Sequence, residues 1–370
     1  MTTLGKVCNL KSGKFVATNE IQAQYKEGLY PCYGGNGIRG YVTEYSHEGC
    51  FPLIGRQGAL CGNVNYACGQ FRATEHAVVV KPLEEMDTRW LYYKLVAMNL
   101  GQYATGAAQP GLAVSKLEQL TIDIPTLNEQ KRVSGVFDLL EKTISLRKQQ
   151  LEKLDELVKA RFVELFGDPV KNDMGWEITS LKNATSKIGS GATPKGGKES
   201  YQAEGITLIR SMNVHDGRFD YKDLAHITDE QAKQLDNVTI EENDVFINIT
   251  GASVARSCIV PKHILPARVN QHVAIIRCIT SMLNPVFANN MFLNHSFKGQ
   301  LLDIGETGGA TRQAITKQQL ESLEVILPPL ELQNQFAAFV EQTDKAKLTI
   351  QKSLDTLEVL KKSLMQKYFG

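Results

Sequence analysis

The sequence predicts an α+β chain: two α/β modules in a tandem pseudo-repeat, held apart by two long helices that pair as an antiparallel coiled coil. Three observations carry this expectation. A stretch near the middle recurs at the C-terminal end, at one offset of 203 residues that places Gly167 on Gly370. Each copy contains a helical run far longer than a globular domain needs. The segments preceding the two runs repeat one order of strands and turns.

Residues 120–167 read LTIDIPTLNEQKRVSGVFDLLEKTISLRKQQLEKLDELVKARFVELFG, and residues 323–370 read LEVILPPLELQNQFAAFVEQTDKAKLTIQKSLDTLEVLKKSLMQKYFG. Without a gap, the offset aligns Leu120 with Leu323, Pro125 with Pro328, Leu127 with Leu330, Gln130 with Gln333, Leu151 with Leu354, Leu154 with Leu357 and Phe166 with Phe369. Each copy is a short apolar strand, a proline break and a helix.

In the first helix the apolar positions step by four and three through Val133, Phe137, Leu140, Ile144, Arg147, Leu151, Leu154, Val158, Arg161 and Leu165. The second follows Phe336, Val340, Thr343, Lys347, Ile350, Leu354, Leu357, Lys361, Leu364 and Tyr368. That alternation is a heptad seam. No glycine lies between Val136 and Phe166 and no proline between Leu127 and Phe166, so nothing breaks the first helix there. Some 40 residues at about 1.5 Å each give roughly 60 Å. Arg147 and Arg161 stand where the second copy has Ile350 and Leu364, an offset that favours pairing of two unlike helices over self-pairing. A twofold-like relation between the halves makes the pair antiparallel and the rod a spacer. The competing reading packs each helix on its own module. The resulting division is 1–124 and 168–326 for the modules, 125–167 and 327–370 for the helices.

A chain of 370 residues with 42% hydrophobic and 22% charged residues is ordinary for a globular protein large enough for two cores. No basic segment followed by an apolar stretch opens it, and no apolar run approaches ~18 residues, so the expectation is a cytoplasmic protein without membrane contact. Seven cysteines lack any C-x-x-C pair. Cys50, Cys61 and Cys68, near His47 and His76, lack the ligand spacing of a zinc site, and reduced, mostly buried thiols are expected. A net charge of +1 excludes nucleic-acid binding by bulk electrostatics. Any DNA role rests on local patches or partner subunits.

In the first module, YGGNGIRGYV (33–42) is a tight glycine loop displaying Asn36 and Arg39. FPLIGRQGALCG (51–62) is a buried strand running into a loop with Arg56 and Gln57. HAVVV (76–80) is a strand with no polar face, WLYYKLVAMNL (90–100) a short helix, and TGAAQPGLAVSKL (105–117) a loop carrying Gln109. The second module repeats this order. ITLIRSMNV (206–214) is a strand ending in Arg210 and Asn213, and DVFINITGASVAR (244–256) answers FPLIGRQGAL with Gly251-Ala252 in the place of Gly58-Ala59. QHVAIIRC (271–278) answers HAVVV, a helix over 286–300 answers WLYYKLVAMNL, and TGGATRQAI (307–315) answers TGAAQPGLAV. Strands correspond while loops differ, as in one scaffold carrying two binding surfaces.

Catalytic signatures are absent. GSGATPKGGK (189–198) misses the phosphate-loop spacing, and Gly55, Gly58 and Gly62 do not make G-x-G-x-x-G. Asn284-Pro285-Val286-Phe287 approaches the N-P-P-[FY] motif of DNA amino-methyltransferases but has the wrong third residue, and reads as a capped helix start. His76 and His272 hold matching strand positions and read as structural, not as members of a triad.

The duplication, the order of elements, IPTLNEQKRV at Ile124, LPPLELQNQF at Leu327 and the joint LFGDPVKNDMGW (165–176) together resemble the specificity subunit of type I restriction-modification systems. The resemblance implies that each module is a target recognition domain reading one half of a split sequence in double-stranded DNA, and that the helices set the unread gap. It implies no catalysis and no cofactor in this chain. Two modification (methyltransferase) subunits would bring S-adenosylmethionine and methylate adenine, and restriction (helicase-nuclease) subunits can join them to cleave. The first copy departs from the pattern, with IPTL where the second has LPPL.

Reading base edges takes Arg or Lys for guanine and Asn or Gln for adenine, presented on loops. The matching residues are Asn36, Arg39, Arg56, Gln57 and Gln109 in the first module. In the second they are Lys195, Arg210, Asn213, Asn248, Arg256, Asn270, Gln271, Arg312 and Gln313. Lysines and arginines there can equally meet phosphates. A roughly 60 Å helix limits the separation of half-sites to ~18 base pairs, and four residues inserted near Lys153 are expected to widen the gap by about one to two pairs. Two other readings fit the same pattern: a protein-protein interaction scaffold, and a fused methyltransferase-recognition protein, against which the missing cofactor motif counts.

Overall fold

The computed structural model describes residues 1–106, 110–307 and 313–370, apart from the side chains of Lys198 and Thr307. The residues form two compact units, Met1–Gln149 with Gln351–Gly370, and Gln150–Ile350. Each unit therefore takes about half of each long helix.

The first unit opens with β1 (Thr2–Thr3), α1 (Leu4–Val7) and β2 (Cys8–Ser12). Then come β3 (Tyr30–Gly34), β4 (Gly37–Val42), β5 (His47–Glu48), β6 (Phe51–Gly55), β7 (Val64–Ala67), β8 (Gln70–Ala73) and β9 (Ala77–Pro82). It continues through α2 (Thr88–Ala97), α3 (Val114–Glu118), β10 (Thr121–Ile122) and the long α4 (Leu127–Phe166). One sheet has the order β2-β9-β6-β7 and a second β4-β3-β8-β5, in which β3 and β8 run parallel. The central β9 carries the apolar run 77–80 (AVVV) because both its faces are covered there. Val78 and Val80 pack with Trp90 and Leu91 of α2, and Ala77 and Val79 with Leu53 and Phe71.

The second unit holds β11 (Glu177–Ser180), β12 (Thr185–Ser190), β13 (Ile206–Ile209), β14 (Val214–His215), β15 (Arg218–Phe219) and β16 (Ala225–Ile227). Next are α5 (Asp229–Lys233), β17 (Val245–Asn248), β18 (Ser257–Ile259), β19 (Ala267–Val269) and β20 (Val273–Cys278). It closes with α6 (Pro285–Leu293), α7 (His295–Thr307), α8 (Lys317–Ser322), β21 (Glu324–Leu327) and α9 (Leu330–Phe369). Its sheets repeat the first unit: β12-β20-β17-β18 answers β2-β9-β6-β7, and β16-β13-β19, with β13 and β19 parallel, answers β4-β3-β8.

The two long helices have 40 residues each and begin and end 203 positions apart, as the duplication predicts. Every seam position is buried or half-buried. Within the first unit Arg132 meets Tyr368 (3.4 Å), Glu141 meets Lys361 (3.0 Å) and Lys148 meets Glu358 (3.2 Å). Within the second, Asp155 meets Lys347 (2.7 Å), and the rings of Phe162 and Phe336 lie 5.6 Å apart. Rising numbers on α4 meet falling numbers on α9 in each unit, so the pairing is antiparallel. The long helices pack against each other as well as on their own strands. Burial of the Lys347 ammonium works against its charge, but Asp155 and Asp344 outweigh this and hold its pKa above the usual value.

Gln130 and Gln333, aligned by the repeat, make the same clamp. The Gln130 Oε1 accepts from the Asp87 amide (2.9 Å) and its Nε2 donates to the Pro125 carbonyl (2.9 Å). The Gln333 Oε1 accepts from the Asn284 amide (2.8 Å), and its Nε2 donates to the carbonyls of Pro328 (2.8 Å) and Met282 (3.0 Å). Asp87 and Asn284 cap α2 and α6, so each glutamine ties the first turn of a long helix to the short helix of its module. Gln333→Leu leaves these groups buried without partners. It is expected to cost about 2 kcal/mol in urea unfolding, and a loss below that of an exposed substitution in the same helix would contradict the clamp.

Several expectations need correction. Cys50 and Cys68 are not reduced thiols but a disulfide (S–S 2.08 Å), because each flanks the paired positions Phe51 and Ala67 of β6 and β7. Cys8, Cys32, Cys61, Cys258 and Cys278 are free and buried, and burial pushes the thiols of Cys8, Cys258 and Cys278 up to about 12. The helix expected over 286–300 is two, α6 and α7, separated at Asn294, whose side chain accepts from the Ser296 amide (3.0 Å) and so starts a new helix. The strand expected to run to Val214 stops at Ile209 and turns into a short 3-10 segment, Ser211–Asn213.

Candidate nucleic-acid interface

In the first unit four loop segments converge at the ends of β3, β6 and β9. The Arg56 amide donates to the His76 carbonyl (3.0 Å), the Leu112 amide to the Arg56 carbonyl (2.9 Å), and the Gly58 amide to the Pro110 carbonyl (3.1 Å). The β3–β4 turn lies against them: a Cβ on Gly55 would fall 2.0 Å from the Gly35 carbonyl oxygen, so only glycine permits this approach. Asn36 accepts from the Asn63 side chain (3.0 Å), and the Arg56 Nη1 donates to Ser12 Oγ (3.1 Å). The sequence-predicted Asn36, Arg39, Arg56 and Gln57 are thus brought to one place, three of them exposed and Arg56 half-buried.

The same framework recurs in the second unit. The Ile249 amide donates to the His272 carbonyl (3.0 Å), the Ile315 amide to the Ile249 carbonyl (2.8 Å), and the Gly251 amide to the Gln313 carbonyl (2.9 Å). The loops 55–63 and 248–256 match bond for bond: the amide of Gly62 donates to the Gly55 carbonyl (2.7 Å), as that of Ala255 does to Asn248 (2.9 Å). Gly58 and Gly251 are equivalent, as their shared glycine-alanine pair predicts. Arg210 stacks on Tyr201 (5.5 Å from guanidinium to ring centroid) and donates to the Asp223 carbonyl. Lys195 and Gln271 are exposed, and Arg256 and Gln313 half-buried.

Three predicted readers are placed differently. Asn213 and Asn248 are fully buried: the Asn213 amide donates to the carbonyls of Asp220 (3.0 Å) and Lys222 (3.1 Å), and that of Asn248 to Ser211 (2.9 Å). Asn270 is buried as well, its Oδ1 accepting from the His272 amide (3.0 Å). These asparagines shape the loops, which spacing alone does not distinguish from reading bases. Gln109 and Arg312 lie outside the described residues.

Sequence reasoning missed other groups. Among the described residues, the buried side-chain polar atoms without a hydrogen-bond partner include Arg56 Nε, Asn65 Nδ2, Thr74 Oγ1, Glu75 Oε2 and His76 Nδ1 in the first unit. Arg210 Nε and Asn248 Oδ1 join them in the second. Native interiors leave few such atoms, and here they gather at the converging loops. Also among the described residues, no His, Cys, Asp and Glu group suits a metal ion, and no helix is long and apolar enough to cross a membrane.

Two α/β units that share one main-chain framework and carry different polar side chains, each with its part of the two long helices, define a duplicated α/β protein. Comparison with known proteins agrees: a family model described as "Type I restriction modification DNA specificity domain" matches residues 1–156 and 174–360. The chain belongs to this family of type I restriction-modification specificity subunits, which are recognition subunits and not enzymes.

It is 49% identical over 137 residues to the EcoprrI specificity subunit of Escherichia coli, covering 37% of this chain and 34% of that one. To a putative specificity subunit of Haemophilus influenzae it is 26% identical over 343 residues, covering 85% of this chain and 80% of that one. The alignment thus spans only about a third of the EcoprrI subunit. The crystal structure of an S subunit from M. genitalium shares the fold, with a TM-score of 0.66 and 16% identity over all of this chain and 95% of that one.

Proposed function

We propose that each unit reads one half of a bipartite sequence in double-stranded DNA, that the paired helices set the unread gap, and that the chain docks two modification subunits. S-adenosylmethionine and methyl transfer to adenine would belong to those partners, in the cytoplasm, with restriction subunits as an optional addition. The observation that carries this reading is the doubled framework: the same main-chain bonds hold loops whose side chains differ between units. A shared frame with unlike donors and acceptors suits two different half-sites.

The exposed and half-buried members are the proposed readers: Asn36, Arg39, Arg56 and Gln57 in one unit, Lys195, Arg210, Arg256, Gln271 and Gln313 in the other, with Gln109 and Arg312 joining them. Basic members can also hold phosphates, which adds affinity without sequence information. With a net charge of +1, the bare chain is expected to bind DNA weakly and to gain affinity when modification subunits are present. A gel shift on a randomised duplex, with and without an adenine methyltransferase partner, tests this; no shift in either arm refutes it.

Arg256→Ala provides a sharper test. It is expected to relax base preference in one half-site alone, by about 1–3 kcal/mol for a bidentate contact. Uniform weakening across all sequences would instead assign Arg256 to the phosphates.

A further inference from the structure

One pair of neighbouring residues, Glu75-His76 and Gln271-His272, is matched between the units. Strand pairing sets the correspondence: Gly55 lies opposite Ala77, and Asn248 opposite Val273, so His76 answers His272 and Glu75 answers Gln271. The main chain agrees, since the Ala77 amide donates to the Thr74 carbonyl (3.0 Å) and the Val273 amide to the Asn270 carbonyl (3.3 Å). In both units the side chain before the histidine turns to its Nε2. Glu75 Oε1 lies 3.1 Å from His76 Nε2, and Gln271 Nε2 lies 3.2 Å from His272 Nε2.

The frame is common and the letter differs. Glu75 turns one oxygen to His76 and keeps Oε2 buried without a hydrogen-bond partner, while about a third of the side chain (32%) is open to solvent. Contact with a base therefore uses the oxygen that now faces His76, or a turn about the broad terminal torsion that brings the buried one out. A carboxylate beside DNA is repelled by phosphates, which leaves base amino groups as its favourable contact. Gln271 is exposed; its Oε1 accepts from Thr193 Oγ1 and its Nε2 faces His272, which leaves one lone pair and one N–H for the N7 and N6 of adenine.

We propose that the residue preceding the histidine is one reading position shared by both units. Glu75 accepts from a base amino group, preferentially cytosine N4, and Gln271 makes the paired contact to adenine. The histidines are positioning residues: their main-chain carbonyls tie the loops 55–63 and 248–256, and each ring orients the reader beside it. Thr250 Oγ1 holds the His272 ring through Nδ1 (2.5 Å), while His76 Nδ1 has no such partner. This inference rests on the proposed reading of DNA by both units.

The test is selection of bound sequences from a randomised duplex pool by the full chain with its methyltransferase partner, comparing wild type, Glu75→Gln and Gln271→Glu. Both substitutions keep size and shape, and thermal melting verifies folding. E75Q is expected to change preference at one position of one half-site, from cytosine towards adenine, by about tenfold. Q271E is expected to make the reciprocal change in the other half-site. Unchanged preferences in both folded variants, with a selective wild type, would overturn the shared position and leave the proposed function standing. Changes falling in the same half-site would also overturn it. A wild type that enriches no sequence removes the proposed function and this inference together.

Discussion

Phe166→Ala is expected to destabilise the second unit by about 3–5 kcal/mol. Phe166 is fully buried at the C-terminal end of α4, and its ring centroid lies 4.7 Å from that of Phe287, 5.1 Å from Phe162 and 5.5 Å from Phe336. These rings come from α4, α6 and α9, so one truncation opens a cavity where three helices meet and removes two edge-to-face contacts. The carbonyl of Phe166 accepts from the Trp176 indole (3.0 Å), which ties the helix end to the joint that follows. Val163→Ala is the comparison, since Val163 is half exposed (50%) in the same turn of helix and should change stability by less than about 0.5 kcal/mol. Urea unfolding of both variants decides the matter, and equal losses would show that the aromatic cluster is not the anchor.

Lengthening both long helices by one heptad is expected to widen the unread gap by about three base pairs while each half-site keeps its bases. Seven residues add about 10 Å at 1.5 Å each, and base pairs stack at about 3.4 Å. Insertion points after Lys153 in α4 and after Ile350 in α9 leave the Lys148–Glu358 and Asp155–Lys347 pairs intact. A whole heptad keeps the seam in phase. The four-residue insertion near Lys153 is the poorer experiment, because it extends α4 without α9 and shifts the seam by a stutter. Target mapping of the double insertion reads the gap directly. Altered bases with an unchanged gap would refute the spacer role of the helices.

The long helices were legible because their signal is long and local: a 203-residue offset and a seam sustained over more than four heptads leave little room for another structure. Helix starts were legible too, as at Asn284-Pro285, where the asparagine Oδ1 accepts from the Val286 amide (2.8 Å). The disulfide was not, since it depends on the register of β6 and β7, which no spacing rule supplies. The candidate site was legible at the level of loops and only partly at the level of side chains. Asn36 and Asn213 look alike in sequence, yet one is exposed and the other holds two carbonyls inside the fold. Glu75 was passed over because a carboxylate does not resemble a DNA-binding residue until its equivalence to Gln271 is seen. The clamp role of Gln130 and Gln333 was hidden as well: the alignment marked them as equivalent without revealing that Asp87 and Asn284 arrive beside them.

The loops 55–63 and 248–256 are stitched almost wholly by main-chain amides and carbonyls. Amide stitching is indifferent to what hangs from each Cα, apart from Gly58, Gly62 and Gly251, where φ is positive, and Gly55, where a Cβ would strike Gly35. Shape and preference can therefore vary independently along this surface. Substitutions at 56, 57 and 63, or at 250 and 256, can accumulate under selection for a new target without first being tolerated by the interior, whereas Ile249 is part of the core.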